Sequence, residues 1–167
     1  MKKLLFAAFA VLAFGFSNAQ EGGFKAGVHF GMPMGDFKDA YGLNYGLDVA
    51  YLWNISDDFK VGATTGYSSY SGKTEETTVA GFTLEVEYED FSYIPVAGTA
   101  QYSLTDNLFL GADLGYAVAT GEGDGGFLYQ PKFGYQAEKF EAYLAYKGIS
   151  ADGGTLSSLG LGFAYKF

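Results

Sequence analysis

Residues 160–167, at the end of the chain, read GLGFAYKF. Phe163, Tyr165 and Phe167 alternate with Gly162, Ala164 and Lys166, so rings occupy one face and small or charged side chains the other. A period of two belongs to a β-strand, because successive side chains leave the backbone on opposite faces. What each face touches must be read from the rest of the chain.

The same period recurs upstream. Phe24 to Met32 alternates strictly, with Phe24, Ala26, Val28, Phe30 and Met32 opposite Lys25, Gly27, His29 and Gly31. Leu43 to Trp53 repeats it over 11 residues, which matches a tilted membrane strand of about 9–11 residues. Phe59 to Tyr70 follows more softly. Phe91 to Tyr102 carries Ile94, Val96, Gly98, Ala100 and Tyr102 on one face, while Tyr93 and Pro95 blur the other. Leu108 to Ala119, Phe127 to Gln136, Phe140 to Lys147 and Leu156 to Phe167 bring the total to eight strands. Asn54 to Asp58, Ser103 to Asn107 and Ala137 to Lys139 make short connections. Pro33 to Gly42, Ser71 to Asp90, Thr120 to Gly126 and Gly148 to Thr155 make longer ones that hold most of the acids. Alternating short and long connections predict an up-and-down barrel with both termini at the short-turn end. Within Ser71 to Asp90, FTLEVEYE keeps alternating and is expected to extend the wall as a hairpin beyond the bilayer.

The N-terminus has its own pattern. Lys2 and Lys3 precede the apolar run Leu4 to Phe16, and Ser17 and Ala19 stand three and one residues before Gln20. This is the layout of a cleaved secretory signal peptide, residues 1–19, followed by a mature domain of residues 20–167. A run of 13 apolar residues is short of the ~20 needed for a transmembrane helix. The mature chain then carries 8 lysines against 19 acids, a balance of −11 with His29 neutral. Such a charge argues against nucleic acid as a partner. The chain has no cysteine, which excludes a disulfide scaffold and a thiolate metal site. With 25 glycines, 30 phenylalanines and tyrosines and only 3 prolines, the composition favours an all-β chain in which close-packed positions alternate with rings.

Two exported barrels fit such strands, with opposite polarity. In a soluble lipocalin-like barrel the apolar face lines a ligand cavity; in an outer-membrane barrel it meets lipid. The polar set decides between them: Lys25, His29, Asp48, Lys60, Asp113, Lys132, Glu141, Lys147 and Lys166, spread among Gly, Ala, Ser and Thr. It is too sparse in charge for a water-facing shell but suits a narrow lumen with occasional ion pairs. Tyr45, Trp53, Tyr67, Tyr102, Tyr116, Tyr135, Tyr146 and Tyr165 lie near strand ends on the apolar side, where aromatic girdles are expected at the two interfaces.

In FKAGVHFGMPMGDF, GLDVAYLWNISDDFKVGATTGYSSYSG, FSYIPVAGTAQYSLTDNLFLGADLGYAVA and LGLGFAYKF, the chain resembles the small outer-membrane β-barrel proteins of Gram-negative bacteria with a porin-like barrel domain. The resemblance covers essentially the whole mature chain and is architectural. It implies insertion by the outer-membrane assembly machinery, which reads a C-terminal strand ending in an aromatic residue. Gly162, Phe163, Tyr165 and Phe167 then look like the assembly signal, although Gly160 stands where a polar residue is more usual. No catalytic set carries over.

Residues with catalytic or ligand-binding chemistry are sparse. Gly121, Gly123 and Gly126 spell G-x-G-x-x-G after a strand, but the chain continues into another strand, and Glu122 and Asp124 would repel a phosphate. A flexible loop is the plainer reading. His29 is the sole histidine, so no histidine-based metal cluster can form. No cofactor, metal or catalytic residue is expected, and the protein is read as a non-enzyme. The acidic loop residues Glu75, Glu76, Glu85, Glu87, Glu89, Asp90, Glu122 and Asp124, joined by Asp36, Asp39 and Asp152, face only Lys38 and Lys73. A solvated rim is the plain expectation; the sharper one is that Ca²⁺ or Mg²⁺ bridges these carboxylates to one another or to lipopolysaccharide phosphates. The reading is a monomeric outer-membrane barrel with a structural or surface-interaction role and a side-chain-filled lumen, its contacts being lipid, lipopolysaccharide and the assembly machinery. A narrow small-solute channel is the alternative, and a soluble lipocalin-like carrier stands behind it.

Overall fold

The computed structural model describes residues 20–79, 82–121, 125–151 and 153–167. Ten strands occur among the described residues: β1 Gln20–Met34, β2 Tyr41–Asn54, β3 Phe59–Gly72, β4 Thr74–Val79, β5 Phe82–Glu87, β6 Phe91–Ser103, β7 Leu108–Ala119, β8 Gly126–Gln136, β9 Phe140–Ala151 and β10 Gly154–Lys166. Eight of them close an antiparallel barrel in the order β1-β10-β9-β8-β7-β6-β3-β2. Closure removes every strand edge, which is what allows a sheet to cross hydrocarbon with its backbone polar groups paired. The seal is the β1–β10 ladder, which runs from Lys25 opposite Lys166 to Met34 opposite Ser157. The ladder ends where the Phe167 N–H donates to the Phe24 carbonyl at 3.0 Å.

The alternation read from sequence sets the polarity of the wall. Phe24, Phe30, Leu47, Val96, Leu114, Leu161 and Phe163 are exposed on the outside, whereas Lys25, His29, Asp113, Glu141 and Lys147 are buried inside. An outward apolar face of this extent would be costly in water and is at home in lipid. Rings meet at the short-turn end, where Phe24 lies edge-on to Tyr51 at 4.7 Å, Tyr51 to Trp53 at 5.0 Å and Tyr165 to Phe167 at 5.1 Å. A second ring pair, Tyr129 and Tyr146 at 6.1 Å, lies toward the loop end.

Three expectations change. Tyr93 and Pro95 do not interrupt their strand, because both point into the lumen and are buried there. The segment from Gly148 to Thr155 is not a long loop: β9 runs on to Ala151, β10 begins at Gly154, and Thr155 pairs with Ser150. Phe82 to Glu87 forms the expected hairpin strand but does not prolong the barrel wall. Its strand β5 pairs only with β4, as a separate two-stranded ribbon.

Residues 1–19, read as a signal peptide, lie outside the described residues, as do Glu122, Asp124 and Asp152.

Candidate functional site: the filled lumen and its outer mouth

Lumen side chains stack in levels because each strand contributes every second residue at a height fixed by its register. At the short-turn end Lys25 donates to Glu141 at 2.8 Å and to Gln101 at 3.0 Å. Gln101 in turn donates to Glu141 at 3.0 Å and to Gln136 at 3.1 Å, and Gln136 donates to Ser103 at 2.9 Å. One ion pair is thereby locked into a net of amides, which satisfies most of its remaining donors and acceptors.

Above it Lys132 pairs with Asp113 at 2.5 Å and lies 5.1 Å from the centre of the Tyr143 ring. At the next level His29 Nδ1 meets Asp48 at 2.7 Å, while His29 Nε2 lies 2.9 Å from Lys147 Nζ and 3.0 Å from Ser68 Oγ. Asn44 donates to the same Ser68 hydroxyl at 3.0 Å. His29 fits because Gly46 faces it across the ladder; a Cβ on Gly46 would lie 2.6 Å from the ring.

The charged column stops at rings. Tyr70 and Tyr93, both fully buried, stack at 6.3 Å, and the Tyr70 hydroxyl bonds Ser158 at 2.9 Å. With Ala97, Ala117, Leu128, Ile149 and Leu156 they form one apolar cluster inside the loop end. Among the described residues the lumen holds voids of about 10 Å³ beside His29 and Lys147 and about 20 Å³ beside Asp48 and Lys132. Each has room for roughly one water.

Beyond the apolar cluster lies a wider, open cup of about 260 Å³, lined by Phe37, Tyr41, Phe91, Ile149, Ala151, Gly153, Gly154 and Leu156. The short-turn mouth also opens into a polar vestibule of about 290 Å³, walled by Lys25, Lys60, Glu138, Glu141 and Lys166 among others.

Of the nine polar residues expected in the lumen, Lys25, His29, Asp48, Asp113, Lys132, Glu141 and Lys147 come together in the column. Lys60 and Lys166 sit half-buried in the vestibule instead. Gly162 faces inward under the Tyr143 ring, and Phe163, Tyr165 and Phe167 face outward and exposed. Glu85, Glu87, Glu89 and Asp90 are exposed at the loop end, and Glu75 and Glu76 lie on β4. No group of three or more potential metal ligands occurs among the described residues. The sequence reading missed Asn44, Ser68, Gln101, Gln136 and Ser158. Neutral amides and hydroxyls on the inward face carry no signal until a buried charge needs them.

Neither a family model nor a curated protein matches the chain. Among solved structures it is similar to Ail, the attachment invasion locus protein of Yersinia pestis, at 15% identity and a TM-score of 0.57, covering 90% of this chain and 100% of that one. The N-terminal β-barrel domain of Pseudomonas aeruginosa OprF matches at 16% identity with a TM-score of 0.50, covering 90% and 100%. A de novo designed transmembrane β-barrel matches at 12% identity and 0.53, with the same coverage. A designed chain among the matches underlines that the likeness is one of shape. The chain has the fold of an eight-stranded, antiparallel, up-and-down transmembrane β-barrel.

Proposed function

We propose that the protein is an integral outer-membrane barrel whose wall is a scaffold for its loop end, with a structural or surface-interaction role and no enzymatic activity. The filled lumen carries this reading. Three ammonium groups, Lys25, Lys132 and Lys147, share it with three carboxylates, Asp48, Asp113 and Glu141, and the voids left between them are water-sized. An ion crossing the barrel would have to break these pairs and then pass the Tyr70 and Tyr93 cluster, where nothing replaces its hydration shell. The outward apolar face and the fold likeness support the membrane location.

Two measurements test the proposal. Cell fractionation with heated and unheated gels should recover a heat-modifiable outer-membrane protein; recovery as a soluble periplasmic protein would restore the lipocalin-like reading. Planar-bilayer recording should show no steady unitary conductance. Reproducible ion-selective openings would favour the narrow channel instead.

A further inference from the structure

The cup at the loop end differs from the rest of the lumen in its chemistry. Below the Tyr70 and Tyr93 plug the lumen holds the column of charges and amides; the cup above the plug is lined by Phe37, Tyr41, Phe91, Ile149 and Leu156. A scaffold closed to ions needs the buried plug of Tyr70, Tyr93 and Leu128, but it does not need an open hollow of about 260 Å³ above that plug. The hollow is concave, apolar and held in place. Tyr41 lies edge-on to Tyr70 at 6.0 Å, Tyr70 stacks on Tyr93 at 6.3 Å, Phe91 stacks on Tyr93 at 5.7 Å, and Tyr88 reaches Tyr41 at 6.4 Å. The ring assembly is therefore anchored on two fully buried tyrosines. Its floor, Ile149 and Leu156, is fixed by the β9–β10 ladder, in which the two residues are direct partners.

The charge around the cup is equally specific. Asp39 stands in the chain between Phe37 and Tyr41, and Glu89 and Asp90 immediately precede Phe91; all three acids are exposed. The neighbouring bases are Lys38 and Lys73, and the Lys73 ammonium is engaged by the Lys38 carbonyl at 3.0 Å. An aromatic wall presents electron-rich ring faces, which attract a cation. Exposed carboxylates on the segments that carry the rings, Asp90 among them although its Oδ1 accepts the Gly72 N–H at 2.8 Å, add to that attraction and repel an anion. The volume lies just under the ~300–1,000 Å³ of drug-sized sites, so the occupant is a single ring or short alkyl body.

We infer that the loop-end cup is a binding site for a small organic cation with an apolar body, the body seated on Ile149 and Leu156 between Phe37, Tyr41 and Phe91, and the cationic group at the rim toward Asp39, Glu89 and Asp90. The site stands apart from the lumen: it needs the rings to be in place but not the barrel to conduct or to be closed. A conductance result therefore leaves it untouched.

The sequence supplies its own reporters. Its three isoleucines are Ile55, Ile94 and Ile149. Ile149 forms the floor of the cup, Ile94 faces lipid, and Ile55 lies in the turn between β2 and β3 at the opposite end. The mature barrel, isoleucine-methyl labelled in lipid nanodiscs, is titrated with benzyltrimethylammonium, benzyl alcohol and phenylacetate. The Ile149 methyl should shift saturably with the cation, more weakly with the alcohol and not with the acid, while Ile55 and Ile94 stay still.

Two variants sharpen the test. Gly153 lines the cup, and a Cβ there would meet nothing within 4 Å, so Gly153→Trp should fill the hollow and abolish the Ile149 shift in a barrel that still migrates as folded on unheated gels. Asp39→Asn with Glu89→Gln should weaken the cation by about two- to five-fold, as exposed charges do, and leave benzyl alcohol unchanged. Equal affinity for the cation and the alcohol would overturn the inference in favour of a purely apolar occupant. Joint movement of Ile149 and Ile94 would overturn it in favour of partition into lipid, and a silent Ile149 would reject the site outright.

Discussion

Lys147 Nζ lies 2.9 Å from His29 Nε2 inside the barrel. An ammonium can only donate, so Nε2 must accept, and the imidazole proton then resides on Nδ1, where it is donated to Asp48 at 2.7 Å. The geometry therefore holds His29 neutral and leaves three ammonium groups against three carboxylates in the column. Lys147 has no carboxylate within ion-pair distance among the described residues; its other acceptors are Asn44 and Ser68, each at 3.5 Å.

Lys147→Met, which keeps the stem and removes the charge, should cost about 1 kcal/mol for the donor lost to neutral acceptors, because His29 can then take up a proton and pair with Asp48 directly. Lys132→Met should cost about 3 kcal/mol or more, since it strands Asp113 as a buried, unpaired carboxylate. Urea unfolding in lipid vesicles gives both numbers. Equal losses would mean that the ladder of ion pairs does not set lumen stability.

Asp113→Asn tests the same pair from the other side. Asp113 Oδ1 has no partner among the described residues, and its second oxygen holds Lys132. Neutralising the acid should destabilise the barrel by about 3 kcal/mol, and adding Lys132→Met should recover much of that, because the double variant strands neither charge of this pair. Indifference to the single change would mean that the lumen is wet enough to solvate a lone lysine.

Much of this was legible in the sequence, for a physical reason. Leu43 to Trp53 declares its strand because lipid and lumen impose opposite demands on alternate residues. The pattern failed where those demands relax. Tyr93 looked misplaced because the loop end of the lumen is apolar, so inside and outside there call for similar side chains. Gly148 to Thr155 looked like a loop because Gly, Ser and Thr read as turn chemistry, whereas Ser150 and Thr155 are paired strand residues. Lys60 and Lys166 have the right parity for the lumen, but parity fixes the face and not the height along the axis, and both sit at the mouth. The apolar cup was invisible because it gathers Phe37, Tyr41, Phe91 and Ile149 from four separate segments.

Gly162 has a packing role that its place in the closing stretch does not reveal. A Cβ there would lie 2.2 Å from Tyr143 Cζ, and Tyr143 is buried beneath Lys132 and edge-on to Phe109 at 6.5 Å. Gly162→Ala should cost about 1–3 kcal/mol, since the ring has nowhere to go. Gly148 provides the control: its Cβ would also lie 2.2 Å from a ring, but that ring is Tyr129, on the outer face and only half-buried. Gly148→Ala should fall within about 0.5 kcal/mol as Tyr129 swings into lipid. The two midpoints, measured side by side, check whether mobility of the neighbour decides the cost.

The β4–β5 ribbon places Glu76 directly opposite Glu85. Like charges opposed across a ladder destabilise it, and a two-stranded ribbon has little in reserve. Salt should therefore protect this ribbon from protease, with NaCl and MgCl₂ acting alike at matched ionic strength, because the effect is screening. Selective protection by the divalent ion would establish the carboxylate bridging that the acidic loops first suggested.

Phe167 supplies the last test, which separates assembly from stability. Its ring is 76% exposed and touches Tyr165 edge-on at 5.1 Å, while its backbone N–H closes onto the Phe24 carbonyl at 3.0 Å. Within the barrel it contributes one backbone bond and one ring contact at the end of a ladder that already pairs Lys25 with Lys166. Deleting Phe167 should therefore cost the finished barrel only about 1–2 kcal/mol, and unassisted folding into detergent should survive. In cells the expected loss of folded barrel is much larger, because the resemblance to outer-membrane barrels implies that the terminal ring is read during insertion. Heat-modifiable protein in the membrane fraction, compared with folding yield in detergent, gives the ratio. Equal yields in the two assays would remove any recognition role and leave the ring as a lipid-facing residue like Phe163.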